Sequence, residues 1–281
     1  MIKCGVTGSS GVLGSELIKI YKNKIKFKKF TGDIRKLNEV RKWINNNQFD
    51  SVIHLAAIVP TKIVDKNIKN AEAVNIKGSL NLAKSILQSK KKIWLFFSST
   101  SHVYKIPNRK IKINEKSKLK PYSKYGETKL KAEKVLIKEF KRKKKLNLLC
   151  IGRIFSFTNH SQKKSFLIPN LSEKIKKQQK PILKNLNHYR DFLSVNDICS
   201  AIIILMRKKT SGIFNVCSSI PINLTDIAKF LSKNFKKKVQ IKNSSGYTYL
   251  VGNNSKLKSI GWINKENINK IIKNYLLKVK Y

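Results

Sequence analysis

Three glycines at every third position, in a turn that begins seven residues into the chain, limit what this sequence can fold into more than any other feature. The short apolar run Ile2–Val6 leads into Thr7-Gly8-Ser9-Ser10-Gly11-Val12-Leu13-Gly14, and a helical pattern follows to Tyr21. Gly8 allows a tight turn, Gly11 lets the backbone approach a pyrophosphate, and Gly14 permits close packing of the helix. The helix N-terminus adds N–H donors and a positive dipole. A strand, a glycine turn and a helix in that order predict a dinucleotide-binding element. Gly8, Ser10, Gly11, Val12, Leu13 and Gly14 are its candidate contacts.

The rest of the first half repeats the strand-then-helix rhythm. Ser51–Leu55 precedes a helical pattern over Ala71–Ser89, Ile93–Phe97 precedes one over Tyr125–Phe140, and Leu146–Phe155 follows a basic loop at Lys141–Lys145. Alternation of this kind predicts an α/β fold, a doubly wound parallel Rossmann sheet with helices on both faces. Beyond residue 155 the rhythm loosens. Helical Phe166–Gln179, an apolar helix Asp197–Met206, a strand Ile213–Val216, a helix from Thr225 and a terminal helix Asn267–Lys278 suggest a smaller α/β domain. The expected division is a cofactor-binding domain over 1–155 and a mainly substrate-binding domain over 156–281, interleaved with the first.

Charge argues less than it first suggests. Lys and Arg number 61 against 15 Asp and Glu, a formal +46, which on its own would point to nucleic acid. Only seven of those cations are Arg, and the 54 Lys are spread along the whole chain among Ile and Asn, as an AT-rich coding sequence produces. Arg is the residue suited to bidentate phosphate and base recognition, and no patch with interleaved aromatics appears, so no nucleic-acid partner is expected. The remaining field favours small anionic ligands. Cys4, Cys150, Cys199 and Cys217 show no metal-binding or disulfide spacing, and three lie in apolar runs; they read as reduced, buried thiols of a cytoplasmic protein without a metal site. No apolar stretch approaches the roughly 20 residues of a membrane span and no signal peptide is visible, so no membrane partner is expected.

Tyr125-Gly126-Glu127-Thr128-Lys129 places a phenol and an ammonium on one helix face through i,i+4 spacing. A free phenol has a pKa near 10, too high for a base at neutral pH, and a neighbouring ammonium favours the phenolate. The surrounding residues, Pro121-Tyr122-Ser123-Lys124 before and Lys131-Ala132-Glu133 after, together with the glycine turn, resemble the extended short-chain dehydrogenase/reductase family, whose members include nucleotide-sugar epimerases, dehydratases and reductases. Tyr122 has Gly126 four residues on and is set aside.

The resemblance covers essentially residues 2–281. Thr31-Gly32-Asp33-Ile34 matches the segment whose Asp accepts from the adenine amino group in that family, and Asp33 and Ile34 are cofactor candidates. His54-Leu55-Ala56-Ala57 matches a loop beside the cofactor ribose, giving Leu55, Ala56 and Ala57; His54 itself reads equally as a satisfied core histidine. Asn75, in Val74-Asn75-Ile76-Lys77-Gly78-Ser79, matches a structural helix position. Ser98-Ser99-Thr100-Ser101-His102-Val103-Tyr104 resembles the segment whose third hydroxyl, here Thr100, hydrogen-bonds the reacting substrate oxygen, while Ser98 lines the cofactor. Thr100, Tyr125 and Lys129 are thus the candidate catalytic residues, Tyr125 and Lys129 also touching the cofactor. Ser101, His102, Arg153 and Arg190 are candidate substrate contacts with Thr100 and Tyr125. In Tyr189-Arg190-Asp191-Phe192 the arginine matches one that meets a nucleotide diphosphate, the alternative being an ion pair with Asp191 or Asp197.

Several departures shape the expected chemistry. The family's acidic residue at the end of the second strand, which binds the ribose of NAD, is replaced by lysines, and Lys28 or Lys29 could meet the 2′-phosphate of NADP; the cofactor is NAD or NADP. Ser156, Phe157 and Thr158 stand where Asn, Val and Tyr are usual. Ser101 and His102 occupy the positions of the Asp-Glu pair of 4,6-dehydratases, so that reaction is disfavoured, and the absence of Cys in Ser98–Tyr104 disfavours C3/C5 epimerisation. The resemblance implies hydride transfer at one carbon of a nucleotide sugar, with a 4-ketoreductase ahead of a 4-epimerase and a catalytically silent NAD(P)H-binding scaffold as the alternative of another class. Relatives are often dimers through a two-helix face, and a homodimer is the corresponding expectation.

Overall fold

A computed structural model describes residues 1–59 and 61–279. Its central sheet has six strands in the order Gly212–Val216, Leu149–Ile154, Trp94–Thr100, Ser51–His54, Lys3–Thr7, Lys26–Lys29. Every pairing from Lys26–Lys29 through Leu149–Ile154 is parallel. The inner strands Ser51–His54 and Leu149–Ile154 are buried at every residue, as expected where helices cover both faces. The edge strand reads Lys26-Phe27-Lys28-Lys29, exposed at each lysine, and charge on an edge discourages further strand addition. From Lys3–Thr7 the chain goes outward to Lys26–Lys29 and then returns across the sheet to Ser51–His54. Its direction therefore reverses at the carboxyl ends of Lys3–Thr7 and Ser51–His54, the point where such sheets hold ligands.

Two compact units divide the chain. The first comprises 1–105, 115–154 and 199–215; the second comprises 106–114, 155–198 and 216–281. The first holds a core of Val40, Phe49, Leu82, Leu95, Phe97, Leu136 and Phe140, among others, between sheet and helices. In the second, helices Leu167–Lys177, Leu224–Asn234 and Ile268–Lys278 pack their apolar stripes around Leu171, Leu183, Phe192, Leu231 and Tyr275. Its strands are short, two or three residues each, in one three-stranded and two two-stranded sheets.

The helix expected over Ala71–Ser89 is interrupted. An α-helical turn Ile68–Glu72 passes into a π-helical turn Ala73–Lys77 and then into helix Gly78–Gln88. That turn carries Asn75, whose side chain accepts from Ile58 N at 2.8 Å and donates to Ile58 O at 3.1 Å and Thr128 Oγ1 at 3.0 Å. A widened turn lets one buried amide hold both a loop and the helix Lys124–Arg142. All four cysteines are buried thiols outside any disulfide, burial pushing the Cys4 and Cys199 thiols up. No helix among the described residues is long and apolar enough to cross a membrane.

Candidate active site

The glycine turn is built as its spacing requires. Gly8 has φ +70°, and a Cβ there would lie 2.5 Å from Ala56 N, so the turn rests directly on the Leu55–Ala57 loop. A Cβ on Gly14 would lie 2.3 Å from Gly8 O, which forces a glycine where helix and turn meet. Gly11 differs: a Cβ there would come only within 3.4 Å of Gly8 O, an ordinary contact. Gly11 itself is exposed at the start of the helix. Helix Val12–Tyr21 starts at Gly11 without a side-chain cap, and its first N–H groups suit an anion. Beside the turn lies an open cleft of about 530 Å³ lined by Gly8, Ser9, Ser10, Phe30, Thr31, Gly32, Asp33, Ile34, Arg35, Ala56, Asn70 and Val74. A cradle of glycines, an uncapped helix start and a cleft of apolar, hydroxyl and charged groups fit a dinucleotide.

Within that cleft Asp33 is bound by Arg35, whose Nε and Nη2 reach both carboxylate oxygens at 2.8–3.0 Å while Nη1 donates to Asn70. The guanidinium holds the Asp33 carboxyl down to about 2. Lys28 and Lys29 do not line the cleft; the cation that does is Arg35. The strand ends at Lys29, and Phe30 to Arg35 turn the chain across the mouth of the sheet. Ile34 is largely buried and packs where Gly78 lacks a side chain.

His54 is a core residue. It is fully buried, with Nδ1 2.6 Å from Thr7 Oγ1 and Nε2 2.9 Å from Ser79 Oγ. Ser79 donates its own proton to Asn75 O at 2.7 Å, so Nε2 carries the imidazole proton and Nδ1 accepts from Thr7. Burial, with Lys129 nearby, lowers its pKa to about 3. The ring stays neutral and joins the ends of strands Lys3–Thr7 and Ser51–His54 to the Asn75 turn; proton transfer is left to other groups.

Tyr125 and Lys129 sit in the first turns of helix Lys124–Arg142, which Ser123 caps by accepting from Gly126 N at 3.1 Å. Gly126 is needed because a Cβ would come within 2.5 Å of His102 O, so the helix start packs directly on the Ser101–Val103 turn. That contact brings the end of strand Trp94–Thr100 against the helix, and the Thr100 and Tyr125 side chains hydrogen-bond. Burial raises the Tyr125 phenol above its ordinary value, opposed by the Thr100 bond. Lys129 is 2% exposed, its Nζ 4.0 Å from the centre of the Phe97 ring. Burial brings the Lys129 ammonium down to about 7, with Glu133 acting to raise it. The three candidate catalytic residues are therefore one cluster.

His102 adjoins that cluster. Its ring packs at a tilt against Tyr122, centroids 4.6 Å apart, and meets Tyr125 edge-on at 5.7 Å, Nδ1 lies 3.1 Å from Ser123 Oγ, and its backbone N–H donates to Thr100 Oγ1. Tyr122, set aside as a catalytic group, thus helps to hold His102. Ser101 is buried in the same turn, while Ser98 is partly exposed on the strand.

Arg153 departs from its expected place among substrate contacts. Its side chain is 2% exposed, donates through Nε and Nη2 to Glu133 at 3.1 and 2.7 Å, and through Nη1 to Tyr104 Oη at 2.9 Å. Each of these donors points into protein. Arg190, in the second unit, donates to Tyr189 O and Thr248 Oγ1 at 2.8 Å each. Asp191 accepts from Ser218 N and Oγ, Ser219 N and Gly252 N, and Asp197 from Ser194 Oγ, Lys265 N and Glu266 N.

Comparison with known proteins agrees with this architecture. A curated relative, GDP-6-deoxy-D-talose 4-dehydrogenase of Aggregatibacter actinomycetemcomitans, is 28% identical over 274 residues, covering 92% of this chain and 91% of its own. UDP-glucose 4-epimerase of Mycoplasma genitalium is 28% identical over 274 residues, with 87% and 79% covered. Among solved structures, RMD from Pseudomonas aeruginosa complexed with NADPH superposes with a TM-score of 0.88 at 20% identity, covering 99% of this chain and 98% of that one. UDP-glucose 4-epimerase of Thermus thermophilus with NAD gives 0.85 at 18% identity, with 99% and 100% covered. The family described as GDP-mannose 4,6 dehydratase matches residues 14–275. The chain belongs to that family, and with it to the NAD(P)-dependent enzymes of nucleotide-sugar chemistry among the extended short-chain dehydrogenases/reductases.

Proposed function

We propose that this chain moves one hydride and one proton at carbon 4 of a nucleotide-activated sugar, working as a 4-ketoreductase. The observation that carries this reading is the buried Tyr125 phenol, hydrogen-bonded to Thr100 and one helical turn from Lys129. Burial keeps that phenol protonated at neutral pH, which is the state needed by an acid that protonates a nascent alkoxide. Thr100 orients the same oxygen, and Lys129 stabilises the phenolate left behind. A nicotinamide cofactor would supply the hydride, and the cleft residues beside Gly8–Gly14 and at Asp33–Arg35 would hold its adenosine half. Arg190 is the candidate contact for the diphosphate, by the fork of donors a guanidinium presents.

Carbon 4 is also where the relative at 28% identity is named as acting. A 4-dehydrogenase and a 4-ketoreductase are the two directions of one reaction. Ser101 and His102 do not supply the acid–base carboxyl pair that eliminates water, so 4,6-dehydration is not proposed in spite of the family's description. A second reading, a 4-epimerase, is favoured by the UDP-glucose 4-epimerases among the relatives. Supplying 4-keto-6-deoxy sugars linked to GDP, dTDP and UDP together with NADPH or NADH separates the two. Stoichiometric loss of reduced cofactor supports reduction, whereas interconversion of epimers without net cofactor change supports the epimerase.

A further inference from the structure

Around Lys129 the sequence places a second charged group that the proposed chemistry does not use. Glu133 lies one turn further along the same helix and is 1% exposed. Its carboxylate accepts from both Nε and Nη2 of Arg153, on strand Leu149–Ile154, and from Ser99 Oγ, on strand Trp94–Thr100. Arg153 reaches on to Tyr104 Oη and to Glu115 O, and Tyr104 Oη donates to Asn215 Oδ1 at 2.7 Å. Two strands, one helix and the chain after Tyr104 are thus tied at a single carboxylate. Ser99 immediately precedes Thr100, and Glu133 is four residues from Lys129, so the tie spans the two elements that carry the candidate proton-transfer groups.

We propose that Glu133 is a positioning residue for the proton-transfer cluster: held by Arg153 and Ser99, it fixes the register between Thr100 and Tyr125 and balances the buried Arg153 charge beside the Lys129 ammonium. Charge matters here as well as packing. A buried ion pair contributes little net stability, because desolvation of both charges offsets their attraction. A pair placed one turn from a working ammonium nevertheless sets the local field, since opposite charges at i,i+4 spacing interact directly. The other groups facing Lys129 do not supply that charge. His54, on strand Ser51–His54, is neutral; Phe97 presents a ring face; Tyr125 is a protonated phenol; Ser99 and Thr100 are hydroxyls. On the neighbouring helix, Glu72 pairs with Lys131 at 2.7 Å. Glu133 is therefore the carboxylate through which the chain offsets the burial of Lys129.

The role of Glu133 rests on the ketoreductase reading for its kinetic test, so a second readout is independent of substrate. Glu133→Gln keeps the side-chain volume but removes the anion and leaves Arg153 uncompensated, so the alkaline limb of kcat/KM should move down by about one pH unit or more. The charge-neutral double variant Glu133→Gln/Arg153→Met should bring that limb back towards wild type, although more of the network is gone. In parallel, the pH dependence of Lys129 acetylation by acetic anhydride, read by mass spectrometry, should show the same downward move and the same recovery. A limb and an acetylation profile that stay at their wild-type pH in both variants, with only kcat reduced, overturn the proposal and make the network structural alone. If the single variant does not fold, the double variant and Glu133→Asp decide. The Asp variant should keep the limb in place while lowering kcat, and a downward move in it refutes the charge argument. The expected acetylation shift without turnover on any nucleotide sugar would leave this inference standing and remove the reading of function.

Discussion

Replacing Lys129 by Met should make the protein more stable while abolishing turnover. Burial lowers the Lys129 ammonium from its ordinary 10.5 to about 7, and each tenfold change in proton affinity is worth about 1.4 kcal/mol. Holding this group in the folded chain therefore costs about 5 kcal/mol below pH 7. Between pH 7 and pH 10.5 the unfolded chain binds this proton and the folded chain does not, so the penalty shrinks as pH rises through that window. At pH 9 about 2 kcal/mol remains. Met preserves the length of the stem and places a thioether against the Phe97 ring, a favourable contact in its own right. Repacking takes back part of the gain, so the expected stabilisation is at least about 2 kcal/mol at pH 6 and less than half of that at pH 9. Urea melts of variant and wild type at both pH values measure it. Taking the difference between the two chains cancels the titration of the other lysines, which is essential in so basic a protein. A variant that is less stable at pH 6, or whose advantage grows with pH, refutes the claim that Lys129 is held at an energetic cost.

Tyr125→Phe should lower kcat by about two to three orders of magnitude, because it deletes the group placed for proton transfer, while cofactor affinity measured by fluorescence is retained; near-full turnover would end the proposed mechanism. Arg190→Ala should chiefly raise KM for the nucleotide sugar, since a diphosphate contact remote from the reacting carbon acts alike on ground and transition states, and a change confined to kcat would argue against that role. NADPH should give a kcat/KM at least equal to that of NADH. The one carboxylate lining the cofactor cleft among the described residues, Asp33, is paired with Arg35, so nothing there repels a 2′-phosphate as an unpaired acid would; a strong NADH preference would contradict it.

What the sequence made legible was whatever depends on local spacing. The glycine turn needs particular residues at particular steps, and Gly8 and Gly14 each occupy a position where a Cβ would meet backbone. Tyr125 and Lys129 share a helix face because a helix has about 3.6 residues per turn, and the strand ending at Thr100 could be aligned from its hydroxyls. Long-range partners were not legible in the same way. Arg153 read as a ligand contact because its partner Glu133 is 20 residues away on another element. A signal was present nonetheless: an arginine inside Leu149-Cys150-Ile151-Gly152-Arg153-Ile154-Phe155, in a chain that otherwise uses lysine, demands a buried carboxylate. The π-helical turn at Asn75 and the exclusion of Lys28 and Lys29 from the cleft depend on where loops cross, which periodicity does not report.

The ionisable groups buried in the first unit show how a chain of this composition can hold a reactive site. His54 is kept neutral between Thr7 and Ser79, and Tyr125 is kept protonated beside Thr100. Arg153 and Glu133 are charged but neutralise each other. The His54 and Tyr125 arrangements hold their charge state at neutral pH, so neither changes charge during turnover unless a ligand drives it. Lys129 alone is set near neutrality, at about 7, and its neighbours are arranged so that a small change in local charge moves it either way. A phenolate forming at Tyr125 is such a change, because it adds an anion on the same helix face. Loss of the phenolic proton would then draw Lys129 firmly into its charged form. The two groups are therefore coupled by position, and the fold makes the ammonium most stable at the moment the phenolate needs it.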